Sequence, residues 1–293
     1  MRITNLVLQQ STQAHLQDTY RALAVTQGQI SSGHRISVAS DDPTAAGSVL
    51  RLRSARVATD QYQRNIETGT GRLSAEEHVL GQLTDTLDRA RELAVGQGSD
   101  TSSAATRLTA KTEVDNLLQT SLDLGNTTYL DGYLFGGTAA QTAPFDLATV
   151  PYSSAPPSGT QKVEIAAGQF GLTNHDGTQV FLNTGMLKAL QDLSTALGAN
   201  DTVGIRTAEQ SLRSSGDKVQ ALLGDVGARS AQMESARNTL GAVALDLDSH
   251  LSTLEDTDMT QATVDLMRRQ TTLQAALLTT QKVLGISLAD YLK

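Results

Sequence analysis

The 293-residue chain has no cysteine and no tryptophan, and it holds four phenylalanines and six tyrosines. Without cysteine there can be no disulfide, no thiolate metal site and no thiol nucleophile. With aromatics at 3%, the usual filling of a large globular core is missing, because each buried aromatic ring removes roughly 150–250 Å² from water. Four of the five prolines, Pro144, Pro151, Pro156 and Pro157, fall in one stretch, so the rest of the chain is free for long helices. No run of about 18 apolar residues occurs, which predicts no membrane insertion. Met1-Arg2-Ile3-Thr4-Asn5 lacks the apolar stretch of a secretory signal peptide. The expectation is a protein that stays in the cytoplasm or leaves it by another route. Positive charge is also short: the net charge is −8 and the pI about 5.1, which argues against nucleic acid as a partner. Residues 1–72 run the other way, with eight Lys/Arg against five Asp/Glu.

What is present is apolar residues at a seven-residue spacing, twice. Ala45, Leu52, Ile66, Leu73, Leu80, Leu87 and Ala94 share one register, with Thr59 as its polar member. Ala55, Tyr62, Leu83 and Ala90 form a second row three residues on, which makes the a/d seam of a coiled coil. Ile205, Leu212, Val219, Val226, Met233, Leu240, Leu247 and Leu254 repeat the pattern, with Leu223, Ala244 and Leu251 beside them. A sustained 3.5-residue period predicts long, packed, left-handed supercoiled helices. A third helix is expected over 102–125, with Leu108, Leu118 and Leu122 on one face.

The starts and stops agree with this reading. Asp42 at an N-cap and Pro43 at the first helical position open the first long helix, and Asn200-Asp201-Thr202 opens the second. Gly96 and Gly98 end the first. Gly69 and Gly71 fall inside it at about 1 kcal/mol each, which predicts a bend or a weak point.

Shorter heptads flank the long ones. Leu16, Leu23 and Ile30 lie seven apart, with Leu6 and Tyr20 on the companion row. Near the other terminus one row is Met259, Leu266 and Leu273, and the other is Leu277, Leu284 and Tyr291. Gln9, Gln13, Gln27, Thr263, Gln270 and Thr280 dilute these seams. Burying an amide without a partner is costly, so an isolated chain should hold these helices weakly and a crowded assembly should hold them well. Between Tyr133 and Gly185 the helical period stops. Lys162–Ile165 alternates as a strand, Gln179–Leu182 reads as another, and Asp176-Gly177 reads as a hairpin turn.

The expected fold is therefore mainly α: a long coiled-coil-like helical bundle with paired terminal helices and a small β-rich insert. Its regions are 1–38 with 258–293, 39–137 with 186–257, and 138–185, nested so that both termini meet.

Catalytic chemistry is sparse. His15, His34, His78, His175 and His250 share no metal-ligand spacing and are expected in loops or facing solvent. No phosphate loop, dinucleotide glycine pattern or nucleophile elbow occurs. Asp41-Asp42 reads as a cap rather than a catalytic pair. Glu255, Asp256 and Asp258 read as a helix break with a cap, since the glycine and ligand spacing of a calcium loop are missing. Arg51, Arg53 and Arg56 lie off the apolar seam, either as a solvated face or as a dock for an acidic surface. No catalytic residue, cofactor or metal site is expected.

Several runs, in order, resemble the bacterial flagellin family. They begin with Gln29-Ile30-Ser31-Ser32-Gly33-His34-Arg35-Ile36 and Ser40-Asp41-Asp42-Pro43-Thr44-Ala45-Ala46. Tyr62-Gln63-Arg64-Asn65-Ile66, Arg89–Val95, Leu124-Gly125-Asn126-Thr127 and Tyr133–Thr138 continue them. Leu254–Asp258, Gln270–Ala275 and Ser287–Leu292 close the series. Pro43, the Tyr133–Thr138 run and the ending are more similar to members that join hook to filament than to members that build the filament.

The resemblance implies a secreted structural protein of the flagellum, exported through the type III channel with a cytoplasmic chaperone. It implies self-association in a helical or ring-like lattice, with a hook-side junction protein and flagellin as neighbours. The terminal helices would order on assembly, with Leu6, Leu16, Tyr20, Leu23, Ile30, Leu266, Leu273, Leu277, Leu284 and Tyr291 as the interface.

Overall fold

The structure, a computed structural model, describes residues 5–146, 152 and 156–291. Among the described residues there are six α-helices: α1 Asn5–Ser32, α2 Pro43–Gln97, α3 Ala104–Gly125, α4 Met186–Gly198, α5 Thr202–Glu255 and α6 Met259–Tyr291. Two antiparallel hairpins lie between α3 and α4, β1 Thr128–Tyr129 with β2 Gly132–Tyr133, and β3 Lys162–Ala166 with β4 Gln169–Leu172. The expected class holds: mainly α, with long helices, a terminal pair and a small β-containing insert. Packing divides the chain into two units, Met1–Ala58 with Val243–Lys293, and Thr59–Ala242. These limits follow spatial packing, whereas the three sequence regions follow periodicity.

Local chemistry sets the helix ends. Asp42 Oδ1 accepts from the Ala45 N–H at 3.0 Å, and Pro43 is the first residue of α2. That backbone hydrogen bond, with Arg35 3.4 Å away, holds the Asp42 carboxyl below its usual range. Asp41 is lowered too, by the Val38 and Ser37 amides that its carboxylate accepts from. At α5, Asp201 Oδ1 accepts from Val203 N–H at 3.0 Å. Asp258 caps α6 with bonds from Thr260 and Gln261.

The larger unit holds one apolar core. On α2 the heptad row Ile66, Leu73, Leu80, Leu87 and Ala94 is buried, and on α5 so are Ile205, Leu212, Val219, Val226 and Met233. Val114, Leu118 and Leu122 of α3 join them, and α3 packs on α4. Three of the four phenylalanines cap the core: Phe135 meets Phe181 edge-on at 5.3 Å, and Phe145 meets Phe181 at 4.8 Å. Three phenylalanines are thus spent where the insert meets the helices, while Tyr62 is the aromatic on the α2 rows.

Three expectations need correction. Leu108 is 54% exposed and off the buried face of α3, which runs instead through Arg107, Ala110, Val114, Leu118 and Leu122. Arg107 is buried because it binds the carbonyls of Gln97 and Ser99 and the side chain of Asn200. Thr178–Leu182 is a π-helical turn, not a strand, and Asp176 Oδ1 caps it through Gln179 N–H at 2.9 Å. Consecutive Val180 and Phe181 both point inward, which a helical turn permits and a strand does not. The partner of β3 is β4.

Third, Asp176-Gly177 leads into that π-helical turn and not into a hairpin strand. As expected, α2 continues through Gly69 and Gly71. A Cβ on Gly69 would lie 2.8 Å from Thr173 Cγ2, and one on Gly71 would lie 2.5 Å from Tyr129 Oη. These glycines admit the insert against the helix.

Candidate assembly site

In the smaller unit α1 packs against α6. Ser32 ends α1 and Gly33 turns the chain with φ +76°, a conformation open to glycine. The loop that follows α1 is tied to the turn between α5 and α6. Arg35 N–H donates to Glu255 O at 2.5 Å, Thr257 N–H donates to Gly33 O at 2.8 Å, and Arg35 Nη2 donates to Leu254 O at 2.9 Å. His34 Nδ1 lies 3.2 Å from Asp256 Oδ1.

The basic trio is satisfied within the chain: Arg53 pairs with Glu255 at 2.7 Å, Arg56 with Asp248 at 2.9 Å, and Arg51 donates to Ser48. Such exposed pairs each contribute little to stability. In the single chain these arginines face acids and a hydroxyl of their own unit.

Apolar side chains are poorly covered in this unit. Among the described residues, its buried apolar side chains are Ile36, Ala46, Val49, Ala244 and Ala262. None is larger than Ile36. By contrast Val7, Val25, Leu50, Val57, Leu245, Val264, Met267 and Leu278 are each at least half exposed. Of the expected interface residues, Leu16, Leu23, Ile30, Leu266 and Leu273 are partly buried, while Tyr20 and Leu277 are exposed. The side chains of Leu6, Leu284 and Tyr291 lie outside the described residues. The amphipathic rows of α1 and α6 therefore meet in part, and much apolar surface on both remains open to water. Such exposed apolar side chains are material for an interaction surface.

Two side-chain clusters escaped the sequence reading. His175 is 4% exposed, not surface-facing as expected. Its Nδ1 lies 2.5 Å from Glu76 Oε1, its Nε2 lies 2.8 Å from Asp225 Oδ2, and its N–H donates to Glu76 Oε2. Arg229 bonds both Asp225 and the Asn174 carbonyl. Each ring nitrogen of His175 thus faces a carboxylate. This network pins the insert to α2 and α5. The second cluster joins His34 to Glu255 and Asp256, the one group of this kind among the described residues able to offer three metal-ligand atoms. Separations of 99 and 222 positions hide such groupings from any spacing rule.

Family models settle the descent of the fold. The bacterial flagellin N-terminal helical region matches residues 3–140, and the bacterial flagellin C-terminal helical region matches residues 210–292. The chain belongs to the bacterial flagellin family. This flagellin-family chain is 26% identical over 315 residues to flagellar hook-associated protein 3 of Salmonella typhimurium, covering 98% of each. It is 26% identical over 255 residues to the flagellar filament 30.7 kDa core protein of Treponema maltophilum, covering 84% of this chain and 83% of that one. Among solved structures, a flagellar hook-associated protein from Vibrio parahaemolyticus superposes with a TM-score of 0.68 at 19% identity, over 74% of this chain and 100% of the other. No described helix of the flagellin-family chain is long and apolar enough to cross a membrane.

Proposed function

We propose that this chain is a structural subunit of the bacterial flagellum that joins the hook to the flagellin filament. The observation that carries the reading is the end-to-end match to hook-associated protein 3, at 98% of both chains. Likeness to filament core proteins of Treponema maltophilum is somewhat shorter, at 84% and 83% for one and 92% and 93% for another. The chain works by binding, and catalysis forms no part of its role. After export it self-associates in a helical or ring-like lattice between a hook-side junction protein and the first flagellin subunits. A cytoplasmic type III export chaperone holds it before export, and its final place is extracellular.

The mechanism follows from the smaller unit. Its terminal helices present apolar rows that a single copy covers in part. Each further leucine or valine removed from water in the lattice contributes roughly 1.5–3 kcal/mol when fully buried. Neighbouring copies supply that cover, so folding of α1 and α6 is completed by assembly. Leu16, Tyr20, Leu23, Ile30, Leu266, Leu273 and Leu277, together with Leu6, Leu284 and Tyr291, form the interface on this reading.

The alternative is a subunit of the filament itself. Deleting the gene separates the two. Loss of the junction protein leaves flagellin made and exported but shed into the medium, and plasmid-borne wild-type gene restores attached filaments. A deletion strain that keeps attached filaments of normal length contradicts the junction role. One that exports no flagellin while still carrying hooks supports the alternative.

A further inference from the structure

His34, in the connection between α1 and α2, meets Glu255, the last residue of α5, and Asp256, in the connection between α5 and α6. His34 Nδ1 stands 3.2 Å from Asp256 Oδ1 and 4.0 Å from Glu255 Oε1, and the three ligand atoms all lie within 4.8 Å of one another. A tetrahedral zinc ion with nitrogen and oxygen ligands at about 2.0–2.2 Å sets those ligands roughly 3.3–3.5 Å apart. The observed separations from the imidazole bracket that spacing, so small side-chain rotations suffice to close the set.

The surroundings suit an ion as well. Glu255 offers Oε1 to the cluster while its Oε2 accepts from Arg53 Nη2 at 2.7 Å. That is the outer hydrogen bond which orients a ligating carboxylate. The backbone beneath is already fixed, by Arg35 N–H to Glu255 O and Thr257 N–H to Gly33 O. Ligands on a bonded bridge lose less freedom on binding than ligands on two independent loops. The Glu255 side chain is 11% exposed, whereas His34 and Asp256 are 43% and 48% exposed, which leaves an open side for water. Thr257 Oγ1, in the same turn, is buried without a hydrogen-bond partner among the described residues. One imidazole with two carboxylates favours zinc over calcium or magnesium, which take six or more oxygen ligands.

We propose that His34, Glu255 and Asp256 bind a zinc ion that pins the loop after α1 to the turn before α6, with water in the fourth position. The ion would lock the joint from which the terminal helices leave. The proposal stands apart from the flagellar reading, since zinc uptake is read on the purified chain.

Isothermal titration of zinc chloride into chelator-treated full-length protein at pH 7.5 tests it. One equivalent of zinc is taken up, and calcium or magnesium chloride at the same concentration gives no saturable heat. His34→Gln and Asp256→Asn each weaken zinc binding at least about ten-fold, with circular dichroism unchanged. His250→Gln, which alters an exposed histidine of the same unit paired with Asp246, leaves binding as it was. A second readout is amide exchange, which zinc slows at residues 33–36 and 255–257 in the wild type and not in His34→Gln. Absence of saturable uptake, equal uptake by His34→Gln, or loss of uptake in His250→Gln overturns the proposal.

Discussion

At the scale of single residues, Gly69 and Gly81 sit in the same helix and do different things. Around Gly81 there is open space, whereas a Cβ on Gly69 would meet Thr173 Cγ2 at 2.8 Å and Val163 Cγ2 at 3.3 Å. Gly81→Ala therefore removes a helix-interior glycine at no steric cost and raises stability by about 0.5–1 kcal/mol. Gly69→Ala overpacks the insert interface and falls below Gly81→Ala by about 1 kcal/mol or more. Urea denaturation followed by circular dichroism orders the two. His175 is the other residue whose role depends on packing. His175→Ala strands the Glu76 carboxylate, which is 1% exposed, and is expected to cost about 3–5 kcal/mol in the same measurement. Neither role was legible in the sequence. A glycine in a helix has one signature whether it faces water or a neighbour, and a histidine's burial depends on acids 99 positions before it and 50 positions after it.

At the scale of elements, the sequence spoke more clearly. Seven-residue rows predicted α2 and α5, because a long helix must place its apolar residues at that spacing to bury one face. The same row residues, Leu73, Leu80, Leu212 and Val219, are fully buried. Caps at Asp42 and Asp201 mark starts that backbone hydrogen bonding alone would leave ragged. Short elements were harder. Residues 179–182 read as a strand because four residues cannot separate a period of 2 from a helical turn, and the Asp176 cap decides for the turn. The terminal helices offer a test at this scale. Leu273 is partly buried on α6, which packs on α1. Leu273→Asp puts a charge on that seam. It is expected to abolish assembly while the larger unit keeps its cooperative unfolding transition, because Leu273 belongs to the smaller unit. Electron microscopy of secreted protein with calorimetry of the monomer checks both halves. Normal assembly by Leu273→Asp argues against the seam.

At the scale of the whole molecule, the scarcity of cysteine and aromatics takes on a meaning. One unit has a deep core of leucine and valine with a small phenylalanine cluster at the insert, and the other has little core of its own. A unit with few buried apolar contacts opens easily, and its exposed valines and leucines are material for contacts with other copies. The joint between helices was half legible. The cap at Asp42 and a capped break among Glu255, Asp256 and Asp258 were read from local residue order, but the meeting of His34 with Asp256 follows from chain topology. Membership of the flagellin family was legible too, since its motifs lie in order along both helical halves. The central claim is that α1 and α6 complete their folding through neighbours. Amide hydrogen exchange on the full-length protein, at low concentration and after assembly, tests it directly. Residues 5–32 and 259–291 should exchange rapidly in the monomer and become strongly protected in the assembly, while residues 66–94 and 205–240 are protected in both. Strong protection of both terminal helices in the dilute monomer would contradict the account.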